Sequence, residues 1–220
     1  TNTGGAGTPA PCATPGKDGS PTLSVNPDTY YPGTASAAAG ATSITVGAGT
    51  IGGAPGIATS IAKGDLLLVI QMQGADFNST NTDAYGDGVS GGGASGNLST
   101  NFVAGRYEYV TASNTTPVTA AAGGTITLAS PLVNSYASAD VVGTAGPRRF
   151  QVVRVPQFGN LTLGGTITPT PWNGSIGGIL VIDVAGQTNF SGQTINASAR
   201  GFRGGAKPPG VSPGSSVSDV

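Results

Sequence analysis

The chain has 220 residues, with 9 basic and 10 acidic side chains, no histidine, and one each of cysteine, methionine and tryptophan; its formal net charge is −1. The missing histidine excludes Ser-His-Asp, Cys-His and most zinc chemistry, and a hydrophobic fraction of 37% with almost no net charge excludes a disordered chain. Glycine supplies 38 residues and serine plus threonine 47, which predicts a loop-rich fold of one large β domain or two small ones.

Residues 1–42 are broken by Pro and Gly, as in Thr8-Pro9-Ala10-Pro11 and Thr14-Pro15-Gly16, and read as an extended tail. Only Leu23-Ser24-Val25 alternates there, as one short strand. Ser43-Ile44-Thr45-Val46 is a brief strand, and Asp65 to Met72 is an apolar run of strand length, continuous enough to be buried on both faces and bounded by Gly64 and Gly74. Arg106 to Thr111 and Gly124 to Ala129 alternate with β-prone side chains, and Phe150 to Val155 stops at Pro156. Asn160 to Leu163, Ile179 to Val184, Thr188 to Phe190 and Thr194 to Ala197 complete the strands. No window has the spacing of an amphipathic helix.

The expected fold is therefore all-β, with a sandwich-like core of jelly-roll or immunoglobulin type. Gly-Gly and single glycines punctuate short alternating segments over residues 177–205, which also fits β-solenoid rungs. The expected organisation is a 1–42 tail, a 43–205 β domain and a 206–220 Pro/Ser/Gly-rich tail. Residues Asp76 to Leu98 form a long polar loop.

Five blocks follow one another: Gly64-Asp65-Leu66-Leu67-Leu68-Val69-Ile70-Gln71-Met72-Gln73; Arg106-Tyr107-Glu108-Tyr109-Val110; Phe150 to Gln157; Trp172-Asn173-Gly174 with Gly177-Gly178; and Gly201-Phe202-Arg203-Gly204-Gly205. Their succession, over about residues 60–206, resembles a region of large secreted bacterial cell-surface proteins of adhesin-like type. The resemblance implies a surface or structural role and carries no catalytic residue. The larger proteins continue past the last block, so a short version is expected to extend itself by assembly.

Asp76, Asn78, Thr80, Asp83 and Asp87 crowd oxygen donors into twelve positions and are candidate calcium ligands, although Asp, Asn and Gly are also turn formers. No other cofactor is expected. Asn78, Asn97, Asn114, Asn160, Asn173, Asn189 and Asn196 begin Asn-x-Ser/Thr triplets and are candidate glycosylation sites. Glu108 and Asp183 are the carboxylates a histidine-free glycosidase would need; the plainer expectation pairs Asp183 with Arg154 or Arg200 and Glu108 with a basic cross-strand neighbour. Tyr30, Tyr31, Tyr85 and Trp172 are candidates for stacking on sugars. The lone Cys12 excludes an intrachain disulfide.

Residues 1–140 hold three basic and eight acidic side chains, a net of −5, and residues 141–220 six basic and two acidic, a net of +4. Opposite ends of opposite charge favour head-to-tail contacts that need not close. The candidate assembly residues are Leu23, Val25 and Val211 as donor segments, with Arg148, Arg149, Arg200 and Arg203. The reading is a processed extracellular, cell-surface structural subunit, not an enzyme, that partners itself in a fibre or layer by strand addition. A monomeric carbohydrate-binding module using the Asp76 to Leu98 loop is the alternative, a β-solenoid glycosidase the third reading. Nucleic acid is not an expected partner, and no apolar run is long enough to span a bilayer.

Overall fold

Leu66-Leu67-Leu68-Val69-Ile70 suits a pleated surface covered on both sides, and the molecule is built around it. In the computed structural model, which describes residues 13–51, 58–77, 97–98, 101–143 and 145–201, the regular elements are all strands. They are Thr22–Leu23 (β1), Thr29–Pro32 (β2), Ser43–Val46 (β3), Thr50–Ile51 (β4), Leu66–Gln73 (β5), Asp76–Phe77 (β6) and Asn97–Leu98 (β7). Then follow Tyr107–Thr111 (β8), Gly124–Thr127 (β9), Arg149–Arg154 (β10), Gln157–Phe158 (β11), Leu161–Leu163 (β12), Asp183–Val184 (β13) and Thr188–Asn189 (β14). The fold is all-β.

Five strands form one antiparallel sheet in the order β4-β2-β10-β5-β8. The register sets Val152 opposite Tyr31 on one side and Val69 on the other, and Val153 opposite Tyr30 and Leu68. Because side chains alternate across a strand, Tyr31, Val69 and Val152 enter one core while Tyr30, Leu68 and Val153 enter another. The first core is closed by the antiparallel pair β3–β9, which contributes Ile44, Val46 and Ile126. The second is closed by Ile176, Ile179 and Val181.

The sequence boundary at residue 42 is corrected here. Tyr30 and Tyr31 are fully buried in β2, an inner strand of the main sheet, so residues 22–42 belong to the folded body. Prolines bracket β2 because Pro27 precedes it and Pro32 ends it, and neighbouring residues Tyr30 and Tyr31 are both buried because both faces of the sheet are covered.

Beside this body lies a small parallel stack. β11 pairs with β13, β12 with β14, and Ile167 bridges Ile195, all in parallel. The paired positions are separated by 26 residues at Gln157 and Asp183, 27 at Leu161 and Thr188, and 28 at Ile167 and Ile195. Residues 157–167 are thus one rung and 183–196 the next. β1 pairs in parallel with the opposite edge of β12, and the Gly159 N–H donates to the Gly19 carbonyl at 2.7 Å, so residues 16–24 are the first of three rungs. Of the rungs expected within 177–205, one is found there, at 183–196, and the two it stacks with come from residues 157–167 and 16–24. Phe158, Leu161, Leu163 and Ile167 form its core, with Leu23, Leu180, Ile182 and Val184 against them.

Candidate functional site

The order β1-β12-β14 leaves one edge of β1 and one edge of β14 without a partner strand among the described residues. Parallel strands present N–H and C=O groups alternately to either side. The Thr162 and Gly164 N–H groups donate to the Pro21 and Leu23 carbonyls, and the Leu161 N–H donates to the Gln187 carbonyl. By alternation, the backbone groups of Thr22 on the first rung and of Thr188 on the third, with the Phe190 N–H, point away from the stack, while the Phe190 carbonyl accepts from the Gln193 N–H at 2.7 Å.

Side chains tell the same story. Leu163 and Ile167 on the middle rung are 1% and 0% exposed, whereas Ile195, paired with Ile167, and Phe190, one residue beyond the Thr162–Asn189 pair, are 42% and 47% exposed. Val25, just past β1, is 59% exposed. Neither Gly19–Pro27 nor Val184–Ala199 contains a charged residue. Both edges are thus uncharged over these segments and carry apolar side chains that no described strand covers.

The stack is locked to the sheet by buried polar groups. Arg154 on β10 donates to Asp18 at 2.6 Å and to both Asp65 oxygens at 3.2 Å, and Lys17 meets Asp65 at 2.5 Å. Burial pushes the Asp18 carboxyl up, but the hydrogen bonds from Arg154 and the Gln157 N–H, with the Arg154 and Lys17 charges, outweigh it and hold the carboxyl below its ordinary value. Gln151 and Gly177 exchange two bonds of 2.8 Å, the side-chain amide standing in for a strand. Gly177 has φ +98°, and a Cβ there would lie 2.5 Å from the Pro171 carbonyl oxygen, so only glycine fits. These contacts join the sequence blocks that begin at Gly64, Phe150 and Trp172.

Asp28 is fully buried, accepts from the Val181 N–H at 2.9 Å with one oxygen, and has no partner for the other. Burial raises its carboxyl to about 8, against the lowering effect of the bonds from Val181 and Tyr30. The Tyr30 hydroxyl donates to the Ile179 carbonyl at 2.6 Å, and burial followed by the Asp28 charge raises that phenol as well.

Of the candidate calcium ligands, Asp76 is occupied: Arg148 reaches it at 2.5 Å and Asn101 donates to its other oxygen at 2.7 Å. Asn78, Thr80, Asp83 and Asp87 lie outside the described residues. Among the described residues no three His, Cys, Asp or Glu side chains are placed to hold a metal ion. Among the assembly candidates, Leu23 pairs within its own chain, opposite Leu163, and Arg148 and Arg149 are tied to Asp76 and Asp140. The Arg200 Nε is buried without a partner. Val211, Arg203 and Cys12 lie outside the described residues.

Asn97 falls in β7. The side chains of Asn173, Asn189 and Asn196 each accept from the backbone N–H two residues on, the turn-forming use of asparagine, while Asn114 accepts from the Thr127 N–H and Asn160 from the Gln187 N–H of the next rung. The Asp183 partner is Gln157, which donates at 3.0 Å, in place of the expected arginines. Glu108 accepts from the Val133 and Asn134 N–H groups at 2.9 Å instead of pairing with a base.

The aromatic candidates need correction as well. Tyr30, Tyr31 and Trp172 are buried, and Tyr85 lies outside the described residues. Among the described residues the exposed aromatics are Tyr107 and Tyr109 on β8, edge to face with centroids 6.3 Å apart, together with Phe102 and Phe190. Tyr107 and Tyr109 are visible in the sequence as alternate positions of a strand. What the sequence does not mark is that β8 is an edge strand. Among the described residues no helix is long and apolar enough to cross a membrane.

No protein-family model matches the chain. Over 61 residues, 28% of this chain, it is 51% identical to the human phospholipid phosphatase-related protein type 3, of whose length that stretch is 7%. Among solved structures it is similar to the Gp54 tailspike of Acinetobacter baumannii bacteriophage AP22 in complex with A. baumannii capsular saccharide. That likeness has a TM-score of 0.29 and 15% identity, and it covers 66% of this chain and 17% of the tailspike. The chain thus spans a small part of either protein.

Proposed function

We propose that the chain is an extracellular structural module of a bacterial surface fibre or layer, which elongates by strand addition to its parallel stack. The observation that carries this reading is the pair of open, uncharged edges at the two ends of one stack, β1 and β14. Identical strand direction at both ends makes the contact heterologous, and a heterologous contact that does not close gives filaments. Electron microscopy of the purified chain over a concentration series tests it. Filaments or stacked oligomers are expected, and monodisperse single particles at the highest concentration would overturn it.

A second reading, a glycan-binding surface module, draws on the exposed Tyr107–Tyr109 pair, since aromatic faces stack on the apolar faces of sugars. Loss of binding on a glycan array after Tyr107→Ala and Tyr109→Ala, in a chain that still folds, would support it. An array with no binding by the parent chain would remove it.

A further inference from the structure

Three rungs already stack in one register, and that register determines what a fourth must look like. Thr22 pairs with Thr162, which pairs with Asn189; Leu23 pairs with Leu163, and the residue that follows β14, in step with Leu163, is Phe190. We propose that the third rung of one copy receives the first rung of a second copy in this same parallel register, with the incoming Thr22 over Asn189 and the incoming Leu23 over Phe190. The inference rests on the fibre reading above and names its partner and its contact.

Four observations support a second copy as the occupant. Strand polarity is the first: β1, β12 and β14 all run in parallel, so a copy moved along the stack presents β1 to β14 in the direction the ladder requires.

The second is the phase of the backbone groups. In a parallel ladder, a residue pointing at its neighbour stands opposite one pointing away, as Thr162, directed at the first rung, stands opposite Thr22, directed outward. Thr22 over Asn189 meets this condition, because Thr22 points out of the first rung and the Thr188 carbonyl and Phe190 N–H, the two groups it would bond, point out of the third. A register shifted by one residue fails it.

The third is side-chain chemistry. The outer column would read Thr22, Thr162, Asn189 and Thr22 again, polar throughout; the inner would read Leu23, Leu163, Phe190 and Leu23, apolar throughout. Phe190, Ile195 and Val25, the uncovered apolar residues at the two ends, would all be withdrawn from water. The fourth is charge: Gly19–Pro27 and Val184–Ala199, the segments that would meet, carry no ion, so charge reaches the contact only at its flank, from Lys17, Asp18 and Asp183.

The geometry supplies a test that distinguishes contact between copies from contact within one. Neighbouring rungs are about 4.8 Å apart and the first and third about 10 Å apart, while a disulfide needs Cα atoms within about 7 Å. Thr22→Cys and Asn189→Cys, both at exposed positions and each combined with Cys12→Ser, are prepared separately, mixed and gently oxidised. The expected product is the mixed disulfide dimer, one copy of each variant, about tenfold over either like-with-like dimer. Oligomers in sedimentation without preferential mixed dimers would overturn this register while leaving the fibre reading in place; no oligomers at all would overturn both. A mixed dimer that forms only after truncation at Gly201 would show the chain's own following residues on the third rung, and would also overturn the proposal. As an independent readout, Phe190→Asp, an exposed site whose change leaves the fold intact, raises the concentration needed for assembly at least about tenfold; an unchanged threshold contradicts the contact.

Discussion

Leu163 and Phe190 occupy neighbouring rungs of one inward column, yet Leu163 is 1% exposed and Phe190 47%. The difference lies in what is stacked above them: Leu163 has Leu23 on one side and the third rung on the other, while among the described residues Phe190 has a rung on one side only. Substitutions should therefore separate. Leu163→Ala is expected to cost about 2–5 kcal/mol, and Phe190→Ser within about 0.5 kcal/mol of nothing in the isolated chain. Urea melts at low protein concentration measure both.

Arg154 holds the first rung to the sheet through Asp18, and Asp65, beside β5, is shared between Arg154 and the rung's Lys17. Arg154→Met leaves buried carboxylates short of a cation and is expected to cost about 3 kcal/mol. Lys17→Met, at a partly exposed position, is expected to cost about 1 kcal/mol or less. Because the Asp18 carboxyl is depressed below its ordinary 3.8, its contribution is present above that pH and is lost as pH falls through the folded value. Thermal melts of wild type against Asp18→Asn should converge in acid and diverge towards neutrality.

Asp28 has the opposite sign. Its folded value near 8 lies above the ordinary 3.8, so the folded chain holds a proton that the unfolded chain has released, and stability falls as pH rises between the two. Tyr30 and Asn26 are the polar side chains beside it. Asp28→Asn removes this slope and is expected to stabilise the chain by about 1–3 kcal/mol at pH 8. Melts at pH 5 and pH 8 check it, with the gain confined to the higher pH.

Gly177 and Gln151 hold the 176–182 segment against the sheet. Gly177→Ala must accommodate both a positive φ and a carbonyl oxygen, and is expected to cost about 2 kcal/mol or more. Gln151→Leu leaves the Gly177 N–H and carbonyl unpaired at a cost of about 1–3 kcal/mol. Near-equal melting temperatures of these variants and wild type would contradict the role assigned to the pair.

Strands whose pattern follows from burial on one or both faces are readable from residues alone. Ser43–Val46 alternates because one face meets the core, and Leu66–Gln73 is continuous because both faces are covered. β2 is not legible, because its breakers resemble a tail and its two tyrosines serve opposite cores. Ile179 to Val184 has the pattern of one strand, but only Asp183–Val184 pairs in a ladder. Ile179 and Val181 face the sheet and Leu180 and Ile182 the stack, so the alternation is real. The Tyr30 hydroxyl and the Asp28 carboxyl bond the Ile179 carbonyl and the Val181 N–H in place of a neighbouring strand. Parallel pairing across a 27-residue separation, and with it the open ends, depends on which segments meet; the glycines alone do not determine that.

The most direct test of the central claim is sedimentation velocity of the wild-type chain and of Phe190→Asp over the same concentration series. A wild-type sedimentation coefficient that rises with concentration, beside a variant that stays monomeric, is the predicted result. Coefficients that coincide and do not change with concentration would contradict it.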